Sequence, residues 1–162
     1  QRALHVSERE GLARFETMQD LYHLTYREEE REMYPICERE DVGVIPWSPL
    51  GAGYLTRPHE AFEDTTRGDH EKNNAGVPYD QGEANVEINE RVQELADEKG
   101  ASMAQIAMAW HFHNEYTDAP ILGTSSIDHL EEAVEALEID LSESDMEYLA
   151  EPYEPVEVYG HE

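Results

Sequence analysis

Three short apolar runs limit what this chain can build. Phe15 to Gln19, Val42-Gly43-Val44-Ile45-Pro46-Trp47 and Ala119-Pro120-Ile121-Leu122 read as buried parallel strands, each closed by a turn. Helix-period segments alternate with them. Residues 2–10 precede Gly11, and 28–40 place Met33, Ile36 and Cys37 on one face. Residues 84–99 align Ile88, Val92, Leu95 and Ala96 ahead of Gly100. Ser102 with Gln105 forms a capping box before Met103, Ile106, Ala107 and Trp110, and Ser142 with Asp145 opens a last helix bearing Met146 and Leu149. Between these, Gly123-Thr124-Ser125-Ser126 opens a helix bearing Ile127, Leu130, Val134 and Leu137. This alternation is α/β with a parallel sheet. Three parallel strands with so much helix close poorly, and an eight-stranded TIM barrel typically needs about 250 residues. The pattern therefore fits a portion of a barrel. Two stretches stand apart: a long polar loop at 58–82 and an irregular aromatic tail at 152–162.

The charge is extreme. Asp and Glu number 38 against 11 Lys and Arg, a formal net charge of -27. Disorder would follow from charge with little hydrophobicity, but the apolar periodicity opposes it. An acidic tail would concentrate the charge, whereas here the acids are spread along the chain. Adaptation to high salt accounts for both facts, because repulsion between surface carboxylates is screened within about 3 Å at molar salt. Such a surface repels nucleic acid and anionic membranes. Cys37, the one cysteine, excludes an intrachain disulfide and suits a reducing cytoplasm. No apolar run approaches the roughly 20 residues needed to span a bilayer. Gln1-Arg2-Ala3-Leu4-His5 reads as mid-helix, so the expectation is a sequence that starts partway through a larger protein.

Two turns carry candidate chemistry. Trp47-Ser48-Pro49-Leu50-Gly51-Ala52-Gly53 follows a strand, at the end where parallel α/β folds place ligands. An aromatic ring there can stack on a planar heterocycle, and small residues let backbone N–H groups approach a phosphate. Gly123-Thr124-Ser125-Ser126 follows another strand and opens a helix, a ready anion site. Each also reads as an ordinary turn, the second with Ser125 as N-cap and Asp128 completing its box. Two such turns on successive strands reinforce one another.

The runs Met18-Gln19 through Tyr22, Val44 through Thr56, and Leu122-Gly123-Thr124-Ser125-Ser126 with Leu130-Glu131-Glu132 resemble aldo/keto reductases, over residues 1–155. The resemblance implies the C-terminal half of a TIM (β/α)8 barrel, strands six to eight with their helices. It implies NADP(H)-dependent reduction of a small aldehyde or ketone, without metal. Carried over, Gln19 would hydrogen-bond the nicotinamide carboxamide and Trp47 would stack on its ring. Ser48, Leu50, Gly51 and Gly53 would line the pyrophosphate. Gly123, Ser125 and Ser126 would lie by the adenosine ribose and its 2′-phosphate, with Glu132 at the adenine. His129 stands where the family often has Arg, and Ala133 where it has Asn. Histidine lacks the fork with which Arg grips phosphate, so NAD is the alternative cofactor, and Arg57 is another source of charge.

The family's catalytic Asp, Tyr, Lys and His belong to strands one to four, and its Ser-Asn pair follows the fifth; none is in this chain. Hydride transfer to a carbonyl builds charge on oxygen that a proton donor must meet. Tyr22, Tyr26, Tyr34, Tyr54 and Tyr79 have no paired lysine, since Lys72 lies in the polar loop and Lys99 at a helix end. The expectation is an oxidoreductase whose N-terminal half lies elsewhere and which does not turn over by itself. The alternative is a non-catalytic nucleotide-binding or regulatory barrel fragment. His111 and His113, two apart on a helix, face different ways and read as polar residues at a helix end rather than metal ligands. Glu28-Glu29-Glu30 reads as a solvated face or helix start. Tyr153 and Tyr159 either reach over the substrate opening or pack the tail.

Overall fold

The computed structural model describes residues 1–62 and 82–159. Strand β1 (Thr17–Met18) pairs in parallel with β2 (Gly43–Val44), Thr17 opposite Gly43 and Met18 opposite Val44. Pairing continues beyond these short strands. Ile45 N donates to Met18 O at 2.9 Å and Trp47 N to Asp20 O at 2.8 Å, with a parallel bridge between Leu21 and Trp47. On the other side, Asp118 N donates to Val44 O at 3.0 Å and Ile121 N to Pro46 O at 2.7 Å. Three segments thus run parallel in chain order, but the third is a single Trp47–Ile121 bridge rather than the expected strand. Pro46 and Pro120 have no N–H to give, which thins the ladder at that point.

The register sorts the side chains by face. Asp20, Tyr22, Val44 and Pro46 are buried on one face, against the helices. Thr17 and Gln19 on the opposite face are exposed, Ile45 and Trp47 are half-buried, and Ile121 is exposed; Leu21 alone of these is buried.

Helix α1 (Arg2–Glu10) stops at Gly11, whose φ of 64° is the left-handed cap expected of it. The helix expected over 28–40 is two pieces: a 3-10 turn (Glu28–Arg31) and α2 (Met33–Glu40), separated at Glu32. A short α3 (His59–Phe62) opens the stretch read as a polar loop, of which residues 63–81, with Lys72 and Tyr79, lie outside the described residues. Helix α4 (Glu83–Lys99) ends at left-handed Gly100, and α5 (Met103–His113) begins with the Ser102–Gln105 capping box. Then come α6 (Ile127–Glu135), a 3-10 turn (Ala136–Glu138) and α7 (Glu143–Ala150), capped by Ser142 and Asp145. Tyr22, Leu55, Ile88, Val92, Ile106, Trp110 and Leu149 fill a core between sheet and helices, and Cys37 is buried with them. Among the described residues, no helix is long and apolar enough to cross a membrane.

The apolar stripe of α6 is exposed. Ile127 is 74% exposed, and Leu130, Val134 and Leu137 are exposed with it. The apolar period is present, but among the described residues nothing covers that stripe. Val6, Leu12 and Phe15 are also exposed.

The acidic run at 28–30 opens a 3-10 turn, one of its two expected roles, but it is not a solvated face. Glu28 is buried and accepts from Tyr153 Oη at 2.7 Å, Val156 N at 2.8 Å and Arg31 at 2.8 Å. Glu30 receives a two-pronged bond from Arg27 at 2.7 and 2.9 Å and a bond from Tyr22 Oη at 2.5 Å. The tail is thereby docked on this segment. Arg27 N donates to Tyr153 Oη, and Tyr159 N donates to Tyr26 Oη at 2.9 Å. Tyr153 therefore packs the tail, one of the two roles expected for it.

Candidate functional site

The turn after β2 is built on left-handed backbone. Ser48 has φ 57°, Gly51 55°, Ala52 47° and Gly53 96°. Glycine takes such angles without cost, whereas Ser48 and Ala52 hold them under strain of about 1–2 kcal/mol each. Strain of this kind persists where the surroundings over-determine the backbone. Here they do so from three sides. Asn89 of α4, fully buried, donates to Tyr54 O at 2.7 Å and Arg57 O at 3.1 Å. His111 of α5 lies 3.3 Å from Pro49 O. Gly51 rests on His23, and a Cβ at position 51 would lie 3.6 Å from His23 Nδ1.

The turn after Ile121 is differently placed. Gly123, Thr124 and Ser125 are exposed. Ser126, not Ser125, is the N-cap of α6, and its side chain makes no capping bond. The local order comes from Thr124 Oγ1, which accepts from Ser126 N at 3.2 Å and donates to Ser126 O at 3.1 Å. The expected Ser125–Asp128 box does not form, because the helix begins one residue later than that spacing requires.

A cleft of about 430 Å³ lies between the two turns. Of the residues singled out in the sequence, Ser48, Leu50, Gly53, Gly123, His129 and Glu132 line it, and so do Arg57 and Ala133. Ala104 and Met108 of α5 complete an apolar wall with Leu122. Gly51, Ser125 and Ser126 do not line it: Gly51 is buried against His23, Ser125 is exposed and Ser126 half-buried. Gln19 and Trp47 are also absent from its lining, and belong to the less covered sheet face in neighbouring strands. Ala104 and Met108 carry no signal in the sequence, since a contact across 50 residues leaves no local mark.

The cleft contains two basic side chains among the described residues, Arg57 and His129. Among the described residues, the Arg57 guanidinium meets the Thr56 hydroxyl there, at 3.3 and 3.4 Å. Behind the turn, burial drives both His23 and His111 down to about 3, so both imidazoles are neutral. At the end of β1, burial and the nearby Glu29 push Asp20 up to about 7 despite a hydrogen bond from Tyr34 Oη at 3.2 Å. Its Oδ2 has no hydrogen-bond partner among the described residues.

A model of the aldo/keto reductase family matches residues 1–154. A Schizosaccharomyces pombe protein named as a putative aryl-alcohol dehydrogenase is 43% identical over 96% of this chain and 43% of its own length. Versiconal hemiacetal acetate reductase of Aspergillus parasiticus is 39% identical over 98% of this chain and 46% of its own. An aldo-keto reductase of Metarhizium robertsii is 39% identical, over 97% and 42% respectively. The chain thus spans less than half the length of these curated relatives. Its fold matches part of a crystal structure of a thermostable aldo-keto reductase with the inhibitor epalrestat, at TM-score 0.60 and 23% identity, over 84% of this chain and 39% of that one. On the match along nearly its whole length, the chain belongs to the aldo/keto reductase family.

Proposed function

We propose that this chain is the cofactor-holding part of an NADP(H)-dependent oxidoreductase that reduces aldehydes or ketones to alcohols. Its three parallel segments are the sixth to eighth strands of a (β/α)8 barrel. The observation that carries this reading is the shared cleft: residues from two turns far apart in sequence line one cavity, at the strand ends. Its volume, about 430 Å³, falls within the roughly 300–1,000 Å³ of ligand pockets.

The residues present fit a dinucleotide. Ser48, Leu50 and Gly53 offer close backbone approach to a pyrophosphate, with Arg57 as its counter-charge. Gly123 and His129 serve the ribose phosphate, and Glu132 the adenine amine, against the apolar wall of Ala104, Met108 and Leu122. Ser125 and Ser126 stand beside this end, and Gly51 lets the turn pack closely on His23. Trp47 and Gln19, on the open sheet face, receive the nicotinamide end, Trp47 by stacking and Gln19 through its carboxamide. The cofactor, when bound, supplies the hydride. NADP is favoured by the Arg57 guanidinium in the cleft; NAD is the alternative, since His129 offers no fork to a 2′-phosphate.

This chain holds and orients the cofactor but does not protonate the product oxygen. Burial raises the phenols of Tyr22, Tyr34 and Tyr54 well above their ordinary range, which makes them poor donors. Lys99 is paired with Asp145 at 2.9 Å, away from them. A second barrel portion, supplying the catalytic residues, covers the open sheet face and the bare stripe of α6. The net charge of -27 further supports work in a high-salt cytoplasm.

Titration of the chain with NADPH, NADP and NAD in molar KCl, followed by tryptophan emission, tests the reading. NADP(H) quenches the wild type, and Trp47→Ala loses that quenching although Trp110 remains. Absence of binding by all three nucleotides would refute the proposal. Carbonyl turnover by the chain alone would refute the division of labour.

A further inference from the structure

His111 is buried completely, yet it is one of the few polar groups in the core. Its ring stands between a backbone carbonyl of one loop and a side-chain hydroxyl of another. Nε2 is 3.3 Å from Pro49 O, in the turn after β2, and Nδ1 is 3.4 Å from Thr117 Oγ1, in the loop that leads to Ile121. A carbonyl oxygen only accepts, so Nε2 carries the proton and Nδ1 is the acceptor of the Thr117 hydroxyl. The ring is also fixed on its faces, edge-on to Trp110 at 4.9 Å and to Tyr22 at 5.7 Å between centroids. Behind the same turn, His23 supports Gly51 and is itself tied to Thr25 Oγ1 at 3.0 Å.

We propose that His111 is a positioning residue of the nucleotide cleft: through the Pro49 carbonyl it holds the left-handed Ser48–Gly53 backbone in the shape that lines the cleft. The position of Pro49 explains why a side chain is needed. It lies between Ser48 and Gly51, two of the four left-handed residues, so a donor at its carbonyl restrains the torsions on both sides. An apolar residue of the same bulk would keep the core full and leave that carbonyl without this donor. The imidazole also ties the turn to Thr117, so its own orientation is fixed from both ring nitrogens. The ring stays neutral at ordinary pH, because burial opposes its charge. The inference rests on the nucleotide reading of the cleft, but its structural part can be tested separately.

The first test is the tautomer. Long-range proton–nitrogen NMR of the chain in molar KCl shows His111 as a neutral Nε2–H ring from pH 5 to 8; an imidazolium or an Nδ1–H ring overturns the proposal. The second compares His111→Leu with His111→Gln, whose carboxamide can still donate to Pro49 O. In the leucine variant, amide exchange over residues 50–55 rises about tenfold or more, and in the glutamine variant most of the protection returns. NADP binding by calorimetry follows the same order, weakened about tenfold by leucine and largely restored by glutamine. Equal exchange in both variants and the wild type overturns the positioning role. If the leucine variant does not fold, the tautomer and the glutamine variant decide. If the wild type binds no nucleotide, the reading of the cleft fails, while exchange still decides what His111 does to the turn.

Discussion

The two turns that line the cleft look alike in sequence and differ in what surrounds them. Ser48 to Gly53 is fastened by His111 and rests on His23, and Asn89 holds the chain just beyond it. Gly123 to Ser125 are exposed, Thr124 is hydrogen-bonded to Ser126, and the turn leads into a helix with no buried residue. A Gly/Ser turn after a strand is only a backbone shape. Long-range contacts decide whether it is rigid enough to act as a binding surface unaided. The first turn is held by the described core of this chain, whereas the second leads into a helix whose apolar stripe the described residues leave bare.

The contrast can be broken most directly with paired truncations. Leu55→Ala, just after the first turn and fully buried, costs about 2–5 kcal/mol in urea unfolding, whereas Leu130→Ala after the second costs within about 0.5 kcal/mol. Similar costs for the two would show that α6 is packed after all.

Asp20 gives the next largest effect. Its folded-state value is raised to about 7 from an ordinary 3.8, so the folded protein binds a proton that the unfolded chain releases. Stability from this group is present below about 3.8, declines as pH rises towards about 7, and is lost above that. Each tenfold difference in proton affinity between the folded and unfolded chains corresponds to at most about 1.4 kcal/mol. Asp20→Asn flattens the decline and is the more stable form at pH 8. A wild-type stability that rises between pH 5 and 8, with no change in the asparagine variant, would contradict the burial of this carboxyl.

Smaller effects separate the turns by function. Arg57→Ala weakens NADP binding by about 1.5–3 kcal/mol, the range of a hydrogen bond to a charged group. His129→Ala, in the exposed helix, costs less than about 1 kcal/mol. His129→Arg shifts preference towards NADP over NAD, as measured by paired titrations. Equal losses at positions 57 and 129 would place both turns on the same footing. Last, raising KCl from about 0.1 M to about 1 M, where the screening length falls from roughly 10 to 3 Å, raises the melting temperature. A flat salt response would remove the high-salt reading of the charge.

Much of the local structure is legible in the sequence. Gly11 and Gly100 end helices in left-handed geometry, and the capping boxes at Ser102 and Ser142 form as their spacing predicts. These features depend on neighbours within four residues. Most of the cleft is legible, since the runs after two strands contain most of its lining, but nothing points to Ala104 and Met108. Glu28 runs against its local context. Three acids in a row read as a solvated face or a helix start, and the docked tail supplies the Tyr153 and Val156 donors that let Glu28 be buried at such a start. His111 reads locally as a polar residue at a helix end, and nothing near it in the chain points to Pro49, 62 residues away.

What the sequence determined by itself was the alternation of strand and helix, the caps, the period of each apolar stripe and the sign of the surface. Each follows from steric and hydrogen-bonding preferences between near neighbours. The tertiary structure decided which stripe is buried, which carboxylate leaves water and which turn is held still. Those outcomes depend on desolvation by segments distant in sequence, and α6 shows the limit: its period marks an apolar face, but only a partner surface can remove that face from water.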